Sequence, residues 1–201
     1  MLNPAELLDS FSGANQDAAY NEKMMHPIPD VPSVNRIEYI LEHCKDRNVA
    51  DFGCASGKLH EKIKTVAMSV YGFDKNQPAD CIIDFDSPEG WNFTTEFPID
   101  IYVCGEILEH LINPGWFLGN LKKAMEKNSK STALITTPNA FSAAAYRNVI
   151  NGIECVNKDH KFWPSFFTLK TMLETCGFIV TDFKWYGGVP RFSEGLVFLV
   201  E

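Results

Sequence analysis

The segment that most constrains the fold of this chain is residues 49–59, Val-Ala-Asp-Phe-Gly-Cys-Ala-Ser-Gly-Lys-Leu. A short apolar run, expected as a strand, enters a turn with glycines at Gly53 and Gly57, and a helix is expected to follow. A second apolar run then ends at Asp74. This order predicts a βαβ unit that binds a nucleotide, because glycines let the backbone approach a ligand and the later carboxylate can accept hydrogen bonds from two ribose hydroxyls.

Two details of the turn favour an adenosyl ligand without a pyrophosphate. The turn lacks the third glycine of the dinucleotide fingerprint, and Asp51 precedes its first glycine. Asp74 lies 23 residues beyond Asp51. That separation is close to the roughly 20 residues expected before a ribose-binding acid. The alternative is a surface aspartate that only caps a turn.

Length, charge and composition limit the classes of protein to which the chain can belong. Its 201 residues fit one domain, and 45% hydrophobic and 22% charged residues are ordinary for a globular protein. A net charge of −8 argues against a nucleic-acid partner, which needs a basic face. There is no long apolar run or signal pattern, and the six cysteines are scattered without a C-x-x-C pair. We therefore expect a cytoplasmic protein with no membrane association, disulfide or zinc–cysteine site, whereas the oligomeric state stays open.

The order of the predicted elements indicates an α/β fold. Residues 1–33 are interpreted as an N-terminal leader and candidate lid with a helix near 4–11, and residues 34–201 as the main domain, whose first helix is capped by Ser33. Strands are then predicted at about 47–53, 68–74, 80–84, 100–104 and 132–136. Helices are predicted between and after them at about 57–66, 114–127 and 142–150, and a last helix, capped by Thr168, ends at 175. Strands at 178–186 and 195–200 then predict a doubly wound, Rossmann-like, seven-stranded sheet with an antiparallel C-terminal hairpin.

The glycine turn, the acid at Asp74 and the closing hairpin resemble class I S-adenosylmethionine-dependent methyltransferases over about residues 35–200. The resemblance implies S-adenosylmethionine as cofactor and methyl transfer as the reaction. It also implies that the cofactor is bound at four strand ends, by Asp51, Gly53, Cys54, Gly57, Asp74, Lys75, Asp84, Phe85, Cys104 and Gly105. In similar enzymes an acid and an apolar neighbour flank the adenine. Asp84 and Phe85 are explained equally well as a turn acid and a core side chain.

An acid-acid-histidine group follows the fourth predicted strand. If the backbone turns helical at Glu106, then Glu109 and His110 lie three and four residues on and share its face. Together with His160, from a later Asp-His-Lys segment, two carboxylates and two imidazoles suit Mg²⁺ or Mn²⁺. Otherwise these side chains cap the helix, pair with each other or frame the cofactor pocket. Without a metal, His110 or His160 is the candidate general base.

This group resembles two sets of methyltransferases, the ubiquinone-pathway O-methyltransferases and the small-RNA 3′-terminal 2′-O-methyltransferases. In both, the resemblance implies a bound divalent metal. We expect methyl transfer to oxygen on a small-molecule or glycan-like acceptor, with N-methylation or RNA-terminal methylation as alternatives. A nicotinamide-dependent oxidoreductase and a non-catalytic adenosyl-binding module are the other classes that share the βαβ unit.

Several further side chains are either functional or structural. Aromatic residues of the C-terminal half either line an acceptor pocket or pack in the core; they are Phe141, Tyr146, Trp163, Phe166, Phe167, Trp185 and Tyr186. Three isolated histidines, His26, His43 and His60, are expected to be solvated or buried rather than to bind a metal.

Overall fold

The computed structural model describes residues 26–55, 57–128 and 131–201. The predicted helix near 4–11 and most of the predicted leader lie outside these residues. The strands are β1 (Ser33–Val34), β2 (Asn48–Phe52), β3 (Ser69–Asp74), β4 (Cys81–Ile82), β5 (Ile101–Gly105), β6 (Thr132–Pro138), β7 (Val180–Tyr186) and β8 (Gly195–Val200). The helices are α1 (Arg36–Cys44), α2 (Lys58–Lys64), α3 (Pro114–Glu126), α4 (Ala143–Ile150) and α5 (Phe166–Thr175). Two short 3₁₀ turns, Pro88–Trp91 and Leu108–His110, flank β5.

The strands form one sheet in the order β1-β7-β8-β6-β5-β2-β3-β4. Strand β8 is antiparallel to both β6 and β7, and the other neighbouring pairs are parallel. The predicted doubly wound sheet with an antiparallel C-terminal hairpin is confirmed. The predicted count of seven strands is one too low, because Ser33 and Val34 pair with Trp185 and Tyr186 and add an edge strand.

Both faces of the sheet are covered, which explains the apolar character of its central strands. In β2, Ala50 and Phe52 pack into one core cluster while Val49 packs into another. In β5, Tyr102 belongs to the first cluster and Ile101 to the second. Successive side chains of a strand point to opposite faces, so a parallel sheet between two layers of helices needs apolar residues at nearly every position.

Helix starts differ from the predictions by a few residues. Helix α1 is capped by Asn35, whose side chain accepts hydrogen bonds from two backbone N–H groups, and not by Ser33, which lies in β1. Helix α5 is capped by Ser165; Thr168 instead completes the capping box from its third helical position. Several polar residues near a helix start can cap it, and tertiary packing selects one.

The residues just before β1 contact β7 and the loop that follows β7. The indole N–H of Trp185 donates to the carbonyl oxygen of Pro29 at 3.2 Å, and Arg191 forms an ion pair with Asp30 at 3.0 Å. The pairing of β1 with β7 thus crosses the predicted boundary at residue 33. Within the described ranges, no helix has the length and apolar character that a bilayer-spanning segment requires.

Candidate functional site

The strand order of the sheet reverses between β2 and β5. From β2 the chain proceeds outward through β3 and β4, and it then returns to the other side of β2 to form β5 and β6. In sheets of this kind, ligands bind outside the carboxyl ends of the strands at the position where the order reverses. Apart from His160, which lies in the loop between α4 and α5, the predicted cofactor and metal residues lie at or just after the ends of β2, β3, β4 and β5.

The turn after β2 has the backbone conformation that its glycines predict. Gly53 and Gly57 both have φ of +80°, and the N–H groups of Gly53 and Cys54 donate to the carbonyl oxygen of Phe73 at 2.8 and 3.2 Å. A Cβ atom on Gly53 would lie 3.0 Å from the Ile107 side chain, whereas the space around Gly57 is open. The turn is therefore fixed to β3 while its outer half is accessible to a ligand.

The acid at the end of β3 lies against this turn. One carboxylate oxygen of Asp74 accepts a hydrogen bond from the N–H of Ala55 at 2.9 Å, and the other accepts one from Asn76 at the same distance. Asp74 is buried, and Lys75 beside it is exposed. The structure thus brings together the turn and the acid that the sequence predicts to bind the cofactor.

Asp51 is paired with a histidine that was predicted only as an isolated residue. The Nδ1 atom of His60 lies 3.1 Å from the Asp51 carboxylate, and its Nε2 atom lies 3.5 Å from Asp80. Burial raises the pKa of the Asp51 carboxyl group, while the hydrogen bond to His60 opposes that shift. His60 is therefore a buried, paired histidine that links the start of α2 to the strand before the turn.

The remaining predicted cofactor residues occupy different environments. Phe85 is buried in the core, 4.6 Å from the ring of Phe52 between centroids, so the structural explanation applies to its side chain. Asp84 is exposed and accepts a hydrogen bond from the N–H of Asp86. Cys104 is fully buried, and burial raises the pKa of its thiol.

Cys54 and Gly105 lie at the ends of the two central strands. Cys54 is buried, and burial raises the pKa of its thiol to about 12. Gly105 is the last residue of β5, and a Cβ atom built there would lie 3.4 Å from Leu59. A ligand at these two positions would therefore contact backbone atoms, because the Cys54 thiol is buried and not reactive.

Glu106 does not share a helical face with Glu109 and His110, and that prediction is wrong. Glu106 has φ of +55°, outside the right-handed helical region, and the following 3₁₀ turn starts only at Leu108. A non-glycine residue with positive φ is uncommon and is often found at functional sites.

The Glu106 carboxylate binds three residues, of which the sequence analysis names only Tyr186. Its Oε1 atom accepts hydrogen bonds from Thr136 at 2.9 Å and from Tyr186 at 2.8 Å, and it lies 3.2 Å from the Arg36 guanidinium. Burial and the Glu106 charge raise the pKa of the Tyr186 phenol well above its usual range. The sequence signals for this group are weak, since Arg36 is a single basic residue and Tyr186 was predicted only as a pocket aromatic.

Glu109, His110 and His160 are brought together as predicted. One candidate ligand atom from each lies within 4.8 Å of the others, and the two imidazole rings meet edge to face with centroids 4.8 Å apart. Glu109 is only 1% exposed. Burial and the nearby Glu106 charge raise the pKa of Glu109 to about 8, and burial together with His160 lowers the pKa of His110.

The loop that carries His160 is attached to the 3₁₀ turn by hydrogen bonds to main-chain carbonyl oxygens. The N–H of Lys161 donates to the carbonyl oxygen of Glu109 at 2.7 Å, and its ammonium group donates to the carbonyl oxygen of His110 at the same distance. Thr137, at the end of β6, donates to the Glu109 carboxylate at 3.2 Å. The three side chains are therefore positioned by β6, the 3₁₀ turn and the loop.

This group fits a divalent cation by its own chemistry. The Nδ1 atom of His160 is buried and has no hydrogen-bond partner among the described residues. An unpaired buried imidazole nitrogen is costly, and His160 stands beside the buried Glu109 carboxyl group, which forms no ion pair within the described residues. A cation held by Glu109, His110 and His160 would supply the opposite charge to Glu109 and a partner to one imidazole nitrogen of His160.

Sequence comparison decides the family of the chain. A family model described as a methyltransferase domain matches residues 20–182. The chain belongs to this methyltransferase family. Its cofactor is S-adenosylmethionine, and the enzyme has the class I architecture that the glycine turn, Asp74 and the closing hairpin predict. No curated protein matches this chain.

Solved structures share the fold of this methyltransferase at low sequence identity. A SAM-dependent methyltransferase from Archaeoglobus fulgidus is 17% identical, with a TM-score of 0.62 over 82% of this chain and 90% of the other. One from Clostridium acetobutylicum is 12% identical, with a TM-score of 0.59 over 97% and 98%. The small RNA methyltransferase HEN1 is 17% identical, with a TM-score of 0.63 over 88% of this chain and 27% of that one.

Proposed function

We propose that this methyltransferase transfers the methyl group of S-adenosylmethionine to a hydroxyl oxygen of a small-molecule acceptor, and that Glu109, His110 and His160 hold a divalent cation at the acceptor. The observation that carries the proposal is the position of these three residues, with ligand atoms within 4.8 Å of one another. The buried Nδ1 atom of His160, which has no hydrogen-bond partner in the described part of the chain, is a second observation in its favour.

The cofactor is assigned to the turn and the acid beside it. The open space around Gly57 admits the ligand, and the Asp74 carboxylate is positioned to accept hydrogen bonds from the two ribose hydroxyls in exchange for the one from Ala55. We assign the amino-acid end of the cofactor to Arg36, near the end of β5, because a carboxylate binds a guanidinium with two parallel hydrogen bonds.

The ligand set favours Mn²⁺ over Mg²⁺. With Glu106 bound to Arg36, the group offers one carboxylate and two imidazoles instead of two of each. Mg²⁺ prefers oxygen ligands, whereas imidazole suits transition metals. When bound, a divalent cation supplies positive charge that makes a nearby acceptor hydroxyl more acidic.

The chain's own residues prepare the site for this role. Glu109 must lose its proton to bind a cation, and its pKa of about 8 makes cation binding release a proton near neutral pH. Thr137 fixes the orientation of the Glu109 carboxylate. The loop hydrogen bonds of Lys161 keep His160 beside His110.

A small acceptor is favoured over a nucleic acid by charge. A net charge of −8 does not provide the basic surface that a polyanion requires. The neighbour HEN1 is a small RNA methyltransferase, so an RNA terminus is the alternative acceptor, and the test below includes it.

Metal-depleted enzyme tests the proposal directly. We expect methyl transfer from labelled S-adenosylmethionine to hydroxyl compounds to be lost after chelation, restored by Mn²⁺ and restored less by Mg²⁺. His160→Ala should abolish the response to Mn²⁺, whereas His43→Ala, a histidine of α1 outside the group, should keep it. Full activity in the chelated enzyme would refute the role of a metal in methyl transfer and would leave a histidine as the candidate general base. Transfer only to RNA oligonucleotides would refute the small acceptor.

A further inference from the structure

A pocket lies between α4 and the loop that carries His160 and Trp163. Its volume is about 480 Å³, within the range of small-molecule sites. Its wall is formed mainly by apolar side chains, namely Ala140, Ala145, Val149, Ile153 and Trp163. The N–H of Ala140 donates to the carbonyl oxygen of Pro164 at 2.9 Å, so the two sides of the pocket are joined by the main chain.

The pocket shares its loop with the metal group. Trp163 follows His160 by three residues, and Lys161 between them is bonded to Glu109 and His110. A ligand in the pocket therefore contacts the same short segment that positions the imidazole of His160. The pocket and the candidate metal group therefore share one continuous loop segment.

The indole N–H of Trp163 is unpaired as far as the described residues extend. Its Nε1 atom is buried and makes no hydrogen bond within the described residues. A buried donor without an acceptor is unfavourable, and most such groups in proteins are paired. Because Nε1 is closed to solvent, a ligand oxygen reaches it when the indole rotates toward the pocket, and the bond then removes this cost.

The rim of the pocket is apolar and exposed. Val149 is 63% exposed and Ile153 is 58% exposed, and both line the pocket. Exposed apolar side chains grouped around a concavity indicate a binding surface. Among the described residues that line the pocket, Glu154 carries the one charge, and it is negative, which disfavours an anionic ligand.

We infer that this pocket binds the acceptor of the methyltransferase and that the acceptor is a flat, apolar, oxygen-bearing ring compound such as a phenol. The inference rests on the proposed function. A sugar would leave most of its hydroxyls unpaired against these walls, so it fits poorly. The ring packs between Val149, Ile153 and the indole, and a ring oxygen substituent accepts the hydrogen bond from Trp163.

The test is a calorimetric titration with 1-naphthol, and with methyl β-glucoside as a polar probe of similar size. Wild-type enzyme should bind 1-naphthol and not the glucoside. Val149→Phe, which fills the pocket from an exposed position, should weaken 1-naphthol binding at least tenfold. Trp163→Phe should weaken it three- to tenfold without lowering the melting temperature, because it removes an unpaired donor. Ile179→Phe, an exposed site away from the pocket, should bind like the wild type.

The same samples separate this inference from the proposed function. Equal 1-naphthol affinity in wild type and Val149→Phe, or binding of the glucoside in the pocket, would overturn the inference, whatever the methyl transfer assay gives. Loss of S-adenosylhomocysteine binding or of metal-dependent transfer to hydroxyl compounds would overturn the proposed function even if 1-naphthol binds as expected. S-Adenosylhomocysteine affinity should be unchanged in Val149→Phe.

Discussion

The carboxylate of Asp74 accepts a hydrogen bond from the backbone N–H of Ala55 across 2.9 Å, so the acid that ends β3 holds the turn that follows β2. The same carboxylate is the group assigned to the ribose of the cofactor. Binding therefore exchanges an internal bond for bonds to the ligand, and the acid is already oriented before the cofactor arrives.

Asp74→Ala should weaken the binding of S-adenosylhomocysteine by about 1.5–3 kcal/mol, or roughly 10- to 100-fold, because charge-assisted hydrogen bonds are lost. The affinity of Asp74→Asn should lie between those of the wild type and Asp74→Ala, since the amide oxygen can still accept a hydrogen bond from the N–H of Ala55. Isothermal titration calorimetry measures both. Glu42→Ala, an exposed acid on α1, is the control and should bind normally. Unchanged affinity in Asp74→Ala would remove this residue from the cofactor site.

Gly53→Ala should destabilise the enzyme more than Gly57→Ala. Both residues have φ of +80°, so both substitutions impose backbone strain of about 1–2 kcal/mol. Only at Gly53 would the new Cβ atom also lie 3.0 Å from the side chain of Ile107. Urea unfolding followed by circular dichroism gives the two free energies of unfolding. Equal losses would show that Ile107 moves aside at no cost.

Thr137→Val should weaken Mn²⁺ binding by about tenfold, because it removes the hydrogen bond that orients the Glu109 carboxylate. Thr136→Val is the matched control, since Thr136 is bonded to Glu106 and not to the metal group. Mn²⁺ affinity can be followed by electron paramagnetic resonance of the free ion. If both variants lose affinity equally, Glu106 belongs to the ligand set after all.

His60→Ala should lose stability relative to wild type as the pH rises from 5 to 8. Burial raises the pKa of Asp51, and removal of His60 also removes the hydrogen bond that opposes this shift. An acid whose pKa is higher in the folded state loses its proton more readily in the unfolded state, so stability falls with increasing pH, by up to about 1.4 kcal/mol per pH unit. The nearby Asp74 charge raises the pKa of Asp51 further.

Urea unfolding at four pH values measures this trend. His60→Gln, whose amide can still donate to Asp51, should show a smaller slope. A constant difference between His60→Ala and wild type from pH 5 to 8 would show that Asp51 is not the group that His60 stabilises.

The sequence was sufficient to predict features that depend on local backbone chemistry. The glycine turn, the acid at Asp74 and the alternation of strands and helices need only residue types at fixed spacings. Glu109, His110 and His160 were also brought together as predicted, because strand ends and the loops that follow them converge at one edge of a parallel sheet.

The features that were missed depend on contacts distant in sequence. Helical spacing predicts Glu106 in the metal group. Its actual partners Arg36 and Tyr186 lie 70 and 80 residues away, so no short sequence pattern can predict these contacts. Strand β1 was missed for a similar reason, since a two-residue strand has no periodicity and is defined only by its pairing with β7. The pairing of His60 with Asp51 required the geometry of α2 packed on β2.

The two strands at the outer edges of the sheet, β1 and β4, are each only two residues long. An edge strand of normal length offers a row of unpaired main-chain groups that a second molecule can extend, and natural proteins often shorten such strands. Here an approaching chain gains only one or two main-chain hydrogen bonds at either end of the sheet. The fold therefore has an inherent resistance to fibril-like growth at high protein concentration, and this resistance should weaken if residues 29–34 are detached from Trp185.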